Sequence, residues 1–232
     1  MGDVEEIIKK AKGENRKVLT EFESKELLSS LDLPVTTQIL VAEDEGPEGV
    51  KTACEKIGFP VVMKLIAADV VHKSDVGAVK LNISSNEEAQ NAFNELMQIK
   101  SESAKSVSVQ EMAKEPVAEI IVGSLQDAQF GPTVMFGIGG VLVEVMEDVS
   151  FRIAPIKDFD ADEMIHEIKG FKLLDGYRGK PPADLESIKE LLKAISELAY
   201  KHQDISEMDL NPVFAYKDGL KIVDARIILK DA

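Results

Sequence analysis

Two runs of apolar and β-branched residues, Val61–Leu65 and Ala78–Ile83, enclose a polar loop that contains His72. Runs of this length and composition, bounded by glycine and polar residues, predict two strands. Helical periodicity precedes and follows the pair, so strands and helices alternate along the first part of the chain. This alternation predicts an α/β lobe with His72 on a loop between two of its strands.

The other elements follow from hydrophobic period, caps and turn residues. Periodicity predicts helices at Val4–Lys12, Glu21–Leu31, Pro47–Ile57, Glu87–Ile99, Asp160–Ile168 and Leu185–Lys201. Further strands are predicted at Val35–Val41, Val107–Met112, Ala118–Gly123, Thr133–Phe136, Val141–Val145, Ser150–Ile156, Met208–Tyr216 and Leu220–Leu229. Because β-type runs follow one another closely from Ser106 onward, we predict two lobes, 1–105 and 106–232.

Composition narrows the class of protein and its partners. The 232 residues are 44% hydrophobic and 30% charged, and the net charge is −15. This balance, with no basic stripe and no Trp, argues against nucleic acid or an anionic membrane as a partner. No stretch has the length of a transmembrane span. The single cysteine, Cys54, excludes an internal disulfide and fits a reducing cytoplasm.

The C-terminal arms carry polar residues at strand positions where apolar ones are expected. With a two-residue turn at Asp218-Gly219, Lys217 pairs with Leu220, and Asn211 comes to face Arg226. Asn211 and Asp224 are then diagonal neighbours on one face, roughly 5–8 Å apart at Cβ. Two oxygen ligands at that spacing suit Mg²⁺. The alternative is a surface ion pair between Asp224 and Arg226. Asp209, and then Glu207, extend the same face as weaker ligand candidates.

Two further segments offer ligand contacts. The glycine cluster FGIGGV, with Gly139 and Gly140, lies between two predicted strands, and its N–H groups can bind phosphate or simply form a hairpin turn. The run Gln110–Met112 offers a backbone edge suited to adenine. The carboxylates of Glu111 and Glu119 can accept hydrogen bonds from ribose hydroxyls, or can be solvated.

Lys64 lies inside an apolar strand, where an unpaired ammonium is costly. Such a lysine usually has an anionic partner, and phosphate is a natural one. A histidine on a nearby loop can accept a phosphoryl group and pass it on. We therefore place the chemistry of this chain at His72.

Together these segments resemble a known family. The chain is similar to the β subunits of ADP-forming acyl-CoA synthetases, which are ATP-grasp proteins related to the succinyl-CoA synthetase β subunit. The resemblance rests on LIAADVVHKSDVGAVKLNI, FGIGGVLVEVMEDVSFRIAPI, GFKLLDGYRGKPPADLESI and EMDLNPVFAYKDGLKIVDARI. It implies an α/β (α+β) ATP-grasp fold, with ATP held between the antiparallel sheets of two α/β lobes.

The resemblance also implies residue roles. Lys64 corresponds to the lysine that reaches the nucleotide phosphates, Glu111 to the acid beside adenine, and Glu119 to the glutamate beside the ribose or that lysine. Glu144 corresponds to an acid near the phosphates. Asn211 and Asp224 correspond to the Mg²⁺ pair.

His72 resembles the family's second phosphohistidine, which relays a phosphoryl group to Mg·ADP. The chain ends at Ala232, whereas succinyl-CoA synthetase β continues into a further domain. The resemblance thus implies a separate α subunit, in an α₂β₂ assembly, that carries the CoA and acyl sites. Two other functions stay open at this point: a stand-alone ATP-grasp carboxylate ligase, and a nucleotide-binding regulatory subunit without chemistry.

Overall fold

A computed structural model describes residues 3–68, 77–140 and 148–230. The predicted strand Val141–Val145 and the candidates His72 and Glu144 lie outside these residues. Contacts divide the chain into two units. Unit 1 contains residues 1–35 and 115–232, and unit 2 contains residues 36–114.

Unit 2 is an antiparallel sheet with two helices on one face. Its strands are β1 (Gln38–Ala42), β2 (Val61–Ile66), β3 (Val79–Ile83) and β4 (Ser106–Glu111), in the order β1-β4-β2-β3. Helices α3 (Gly46–Ile57) and α4 (Asn86–Met97) pack against the sheet. Alternate residues of the strands, including Met63, Leu65 and Val109, form the core with Cys54 and Phe93.

Unit 1 combines both ends of the chain. Helices α1 (Val4–Gly13) and α2 (Glu21–Ser30) precede unit 2. The strands that follow unit 2 are β5 (Ala118–Asp127), β6 (Gly131–Ile138), β7 (Val149–Ile153), β8 (Ile205–Ala215), β9 (Leu220–Ile222) and β10 (Arg226–Leu229). Between β7 and β8 lie α5 (Asp158–Glu167), α6 (Phe171–Leu174) and α7 (Leu185–Lys201). In the described chain the sheet order is β10-β8-β5-β6-β7, with β9 also paired to β8.

The core of unit 1 lies between this sheet and its helices. The apolar sides of α1, α2, α5 and α7 contribute Ile8, Leu28, Ile165 and Ile195, among others, to one cluster with Phe136 of β6. N-cap residues define the first turn of two of these helices. Thr20 accepts a hydrogen bond from Glu23 N at the start of α2, and Asp184 accepts one from Ser187 N before α7.

The division into units differs from the predicted boundary near residue 105. Strand β4 pairs with β1 and β2, so it belongs with the first sheet although it follows the change in texture. The leading helices α1 and α2 instead share the core of the C-terminal sheet. Among the described helices, none is both long and apolar enough to cross a bilayer.

Candidate functional site

The sheet of unit 2 has one face that forms its apolar core and a second face that carries both polar and apolar side chains. Side chains alternate along a strand, so Met63 and Leu65 of β2 point into the core while Lys64 points to the other face. Lys64 faces Ser108 across the β2–β4 ladder, and Gln110 lies two residues further along β4. The Gln110 amide donates to Ser108 Oγ at 3.0 Å. The structure thus places Lys64 and Gln110 on the same face of the sheet.

Both of these polar side chains are buried. Lys64 is 5% exposed and Gln110 2% exposed. Burying an ammonium is costly unless negative or hydrogen-bonding groups surround it. The 5% exposure of Lys64 confirms the prediction that it occupies a buried strand position.

Glu111 is the last residue of β4, and Met112 follows it. The Glu111 N–H donates to Thr37 O at 3.0 Å, and the Glu111 carboxylate accepts from Thr37 N at 3.0 Å. The Met112 N–H donates to Pro60 O at 3.2 Å. The N–H groups of Glu111 and Met112, two of the three residues of the predicted adenine edge, are thus used within unit 2. Contacts of these two residues with a nucleotide would have to use their carbonyl or side-chain atoms.

In unit 1 Gly139 and Gly140, here called the glycine turn, lie directly against the start of β5. Gly139 N donates to Glu119 O at 2.7 Å. A Cβ built on Gly139 would lie 3.1 Å from the Glu119 carbonyl carbon, and one on Gly140 would lie 3.4 Å from Glu119 Oε2. Gly140 also has φ +80°, a conformation that favours glycine. The structure therefore brings Glu119, Gly139 and Gly140 together.

Asp148 is a residue of this region that the sequence did not single out. Its carboxylate accepts hydrogen bonds from Lys169 N at 2.8 Å and Gly170 N at 2.7 Å. A Cβ on Gly170 would lie 2.5 Å from Ile138 Cγ1 and 3.0 Å from Asp148 Oδ2. Asp148 thus connects the start of β7 to the segment that precedes α6. Only the packing, not a motif, shows this role.

The hairpin of unit 1 corrects the predicted register. Ala215 pairs with Leu220 and Val213 with Ile222, so the turn contains four residues rather than two. Tyr216 N donates to Gly219 O at 3.0 Å across this turn. Further along, Arg226 faces Asp209 and not Asn211. The predicted pairing was wrong by two residues.

A shift of two residues leaves every side chain on its original face. Extending the observed register places Asp224 opposite Asn211 rather than diagonal to it, although residues 223–225 interrupt the strand between β9 and β10. The two predicted metal ligands therefore occupy facing positions. Asn211 is exposed.

Asp209 adds a second carboxylate to this face. Burial raises the pKa of Asp209, the carboxylates of Glu207 and Asp224 raise it further, and Arg226 partly offsets these effects. The charged form of Asp209 is thus disfavoured in the metal-free chain, and a bound cation would stabilise it. The oxygen donors on this face fit Mg²⁺ chemically.

These donors do not form a complete metal cage. Within the described ranges, no group of three or more Asp, Glu, His or Cys side chains is arranged to hold a metal ion. Mg²⁺ commonly uses one or two protein ligands, with waters and substrate phosphates filling the other positions. The arrangement therefore suits a metal that arrives with a nucleotide.

Comparisons with known proteins agree with this chemistry. A family model described as the ATP-grasp domain matches residues 10–229. The β subunit of acetate–CoA ligase (ADP-forming) I from Pyrococcus furiosus is 47% identical over 234 residues, which cover 97% of each chain. The acetate–CoA ligase (ADP-forming) I of Archaeoglobus fulgidus is 48% identical over 179 residues, 75% of this chain and 26% of its own length.

A solved relative shows the same fold with ligands. The acetyl-coenzyme A synthetase 1 of Ca. Korarchaeum cryptofilum, in complex with coenzyme A and Mg-AMPPCP, is 47% identical with a TM-score of 0.87. The match covers 98% of this chain and 100% of that chain. Its phosphohistidine segment points towards the nucleotide binding site. The present chain therefore belongs to the ATP-grasp family and, within it, to the β subunits of ADP-forming acetate–CoA ligases, also called acetyl-CoA synthetases.

Proposed function

We propose that this chain transfers a phosphoryl group between a partner α subunit and Mg·ADP, with His72 as the carrier. The overall reaction is reversible: acyl-CoA, ADP and phosphate give carboxylic acid, ATP and CoA. The observation that carries the proposal is the phosphohistidine segment that points to the nucleotide site in the K. cryptofilum enzyme. Several features of the present chain support the same chemistry.

The choice of His72 rests on the three histidines of the chain. His166 lies in α5, with Nδ1 2.8 Å from Asp162 O and its ring 4.3 Å from that of Phe171. His202 directly follows α7 as its C-cap, where its N–H donates to Leu198 O. The contacts of His166 and His202 are thus those of residues that stabilise their helices. His72 lies in the motif that the family resemblance assigns to the second phosphohistidine.

Each step of the proposed transfer balances. A ring nitrogen of neutral His72 attacks the phosphorus of a phosphohistidine on the α subunit, so that one P–N bond forms and the other breaks. A β-phosphate oxygen of ADP then attacks the phosphorus on His72, which forms the P–O bond of ATP and releases the imidazole. Neutral imidazole is abundant near pH 7 because an unperturbed histidine has a pKa of about 6.5.

The surrounding residues would stabilise the charge of the phosphoryl group. Lys64 would supply a buried ammonium, and the Gly140 N–H would bind a phosphate oxygen, since the N–H of Gly139 already donates to Glu119 O. Gln110, Glu111, Met112 and Glu119 would contact the adenosine half of the nucleotide. Glu144 would lie near the phosphates.

Asn211 and Asp224 would hold Mg²⁺, with Asp209 beside them. A bound Mg²⁺ would offset negative charge on the nucleotide phosphates. The donor types and the crowding of carboxylates around Asp209 support this assignment.

The partner is a separate α subunit. The chain matches a named β subunit over nearly its whole length but spans about a quarter of the A. fulgidus protein. We propose that the rest of that longer protein corresponds to the partner, with the CoA and acyl sites, in an α₂β₂ assembly in the cytoplasm. The assembly is testable by native mass spectrometry of the co-expressed subunits.

Radiolabelling tests the relay. The chain is mixed with its α subunit and [γ-³²P]ATP, and the β subunit is examined for an acid-labile, base-stable label. We expect the wild type and His166→Asn, the matched control, to be labelled, and His72→Asn to lose both label and turnover while still binding ADP. A stand-alone ligase would turn over without α and without this label. Undiminished activity of His72→Asn would contradict the relay.

A further inference from the structure

Helix α2 contains a lysine that the proposed chemistry does not use. Lys25 is 0% exposed and is among the largest fully buried side chains of the described residues. A buried ammonium is retained in a protein core only where polar groups compensate for its lost hydration. One of these groups is the carbonyl oxygen of Val223, to which Lys25 Nζ donates a long hydrogen bond of 3.4 Å.

Val223 belongs to the short interruption, residues 223–225, between β9 and β10. Its N–H donates to Pro212 O at 3.1 Å. Pro212 directly follows Asn211, and Val223 directly precedes Asp224. Pro212 and Val223, which adjoin the two proposed metal ligands, are therefore hydrogen-bonded to each other. Lys25 bonds to the carbonyl group of the same Val223.

The chain around α2 also fixes both strands that flank the interruption. Ile222 N donates to Pro34 O at 2.8 Å, after the helix. Leu19 N, before the helix, donates to Ile227 O at 3.0 Å. The interruption is thus fixed at both ends by backbone bonds, and Lys25 contacts it between them.

We propose that Lys25 is a positioning residue for the metal site, which holds the 223–225 backbone so that Asp224 faces Asn211. This inference rests on the proposed metal site of the preceding subsection. It is distinct from a simple charge effect. A positive charge near Asp224 would by itself oppose the binding of Mg²⁺, so its removal would tighten binding if charge were the whole role. Loss of positioning would weaken binding instead.

The test is the Mg²⁺ dependence of ADP binding to the full chain, measured by isothermal titration calorimetry. We expect Lys25→Met to raise the Mg²⁺ concentration for half-maximal ADP binding about tenfold, the lower range for the loss of an outer support of a metal ligand. Lys25→Gln, which keeps a hydrogen-bond donor, should recover part of this loss. Leu28→Ala, in the same helix and fully buried, should lower stability but leave the Mg²⁺ dependence unchanged.

Asp224→Asn separates this inference from the metal site itself. If Asp224→Asn does not change the Mg²⁺ dependence, both the metal site and the role of Lys25 are overturned. If it does, and Lys25→Met binds Mg·ADP like the wild type or more tightly, only the positioning role fails. Failure of both Lys25 variants to fold with saturating Mg·ADP would assign Lys25 to the core and would also overturn the inference. In the double variant Lys25→Met/Asp224→Asn, a rise in the Mg²⁺ requirement no larger than that of Asp224→Asn alone would support the positioning role.

Discussion

The contact of the glycine turn with β5 leads to a quantitative prediction for Gly139→Ala. The new Cβ would lie 3.1 Å from the Glu119 carbonyl carbon and 3.2 Å from the carbonyl carbon and nitrogen of Ile120. Ordinary carbon contacts are about 3.5–4.0 Å, so one side has to move by a few tenths of an ångström. The contacted atoms belong to the backbone, which a rotamer change cannot displace.

Neither side of this contact is easily displaced. Gly139 is held to Glu119 O by its 2.7 Å hydrogen bond. The facing strand β5 is paired on both sides, because Ile120 faces Ile138 of β6 and Val213 of β8. Overpacking of this kind typically costs about 1–3 kcal/mol. The reduced entropy of the unfolded chain returns about 0.4–1 kcal/mol, so we expect a net loss of roughly 1–2 kcal/mol.

Thermal unfolding followed by circular dichroism measures this loss. For a chain of this size, about 1 kcal/mol corresponds to 2–4 °C, so Gly139→Ala should unfold about 2–8 °C below the wild type. It should also bind ADP more weakly, because the turn has shifted. The matched control is Gly13→Ala at the end of α1, where nothing lies within 4 Å of the new Cβ and φ is not positive. That variant should be stabilised slightly.

A Gly139→Ala chain as stable as the wild type would refute the reasoning. It would show that the β5 backbone yields without cost. The close approach of the turn would then not be what requires glycine at this position.

Three further predictions concern single charged or reactive groups. Burial acts to raise the pKa of Glu23, but hydrogen bonds from Arg16 and Thr20 outweigh it and lower the pKa. Glu23→Gln should therefore lower the free energy of unfolding by about 1–3 kcal/mol near pH 7. This difference from the wild type should shrink below pH 4.5, as Glu23 becomes protonated. A pH-independent difference in urea unfolding would contradict this. Burial raises the pKa of Asp209, so its negative charge lowers the stability of the fold above the ordinary aspartate pKa. Asp209→Asn should therefore have a higher melting temperature than the wild type in metal-free neutral buffer, and Mg·ADP should stabilise it less. A lower melting temperature without metal would count against this prediction. Burial, and then Glu55, raises the pKa of Cys54 to about 11, so Ellman's reagent at pH 8 should react only after unfolding; rapid reaction of the native chain would show that the thiol is accessible.

The sequence predicted the faces of the site better than its pairing. Period-two alternation sets the face of each strand residue, so Lys64 and Asn211 could be placed without knowing the register. The register depended on the turn, and Asp218-Gly219 indicated a two-residue loop where the chain forms a four-residue one. Because the error was an even number of residues, Asp224 stayed on the predicted face.

Other features have no local signature. Lys25 reads as an ordinary polar position of a helix, and only the complete fold shows that it is fully buried beside Val223. Asp148 likewise shows its role only through hydrogen bonds to a distant segment. The packing of α1 against the C-terminal sheet depends on contacts between residues far apart in the sequence. The spacing of hydrophobic residues predicts helices and strands but not such contacts.

The interruption of unit 1 by unit 2 affects the order in which the protein can fold during synthesis. Unit 2 is a continuous segment and is complete once residue 114 has left the ribosome. Helix α1 is made before unit 2, yet the core that buries Ile7 and Ile8 also contains Ile227 of β10, which is made after it. At 5–20 residues per second, this apolar helix face waits roughly 10–40 s for its partners. The apolar face of α1 therefore stays without its core partners on the nascent chain until the strands that follow unit 2 have been made.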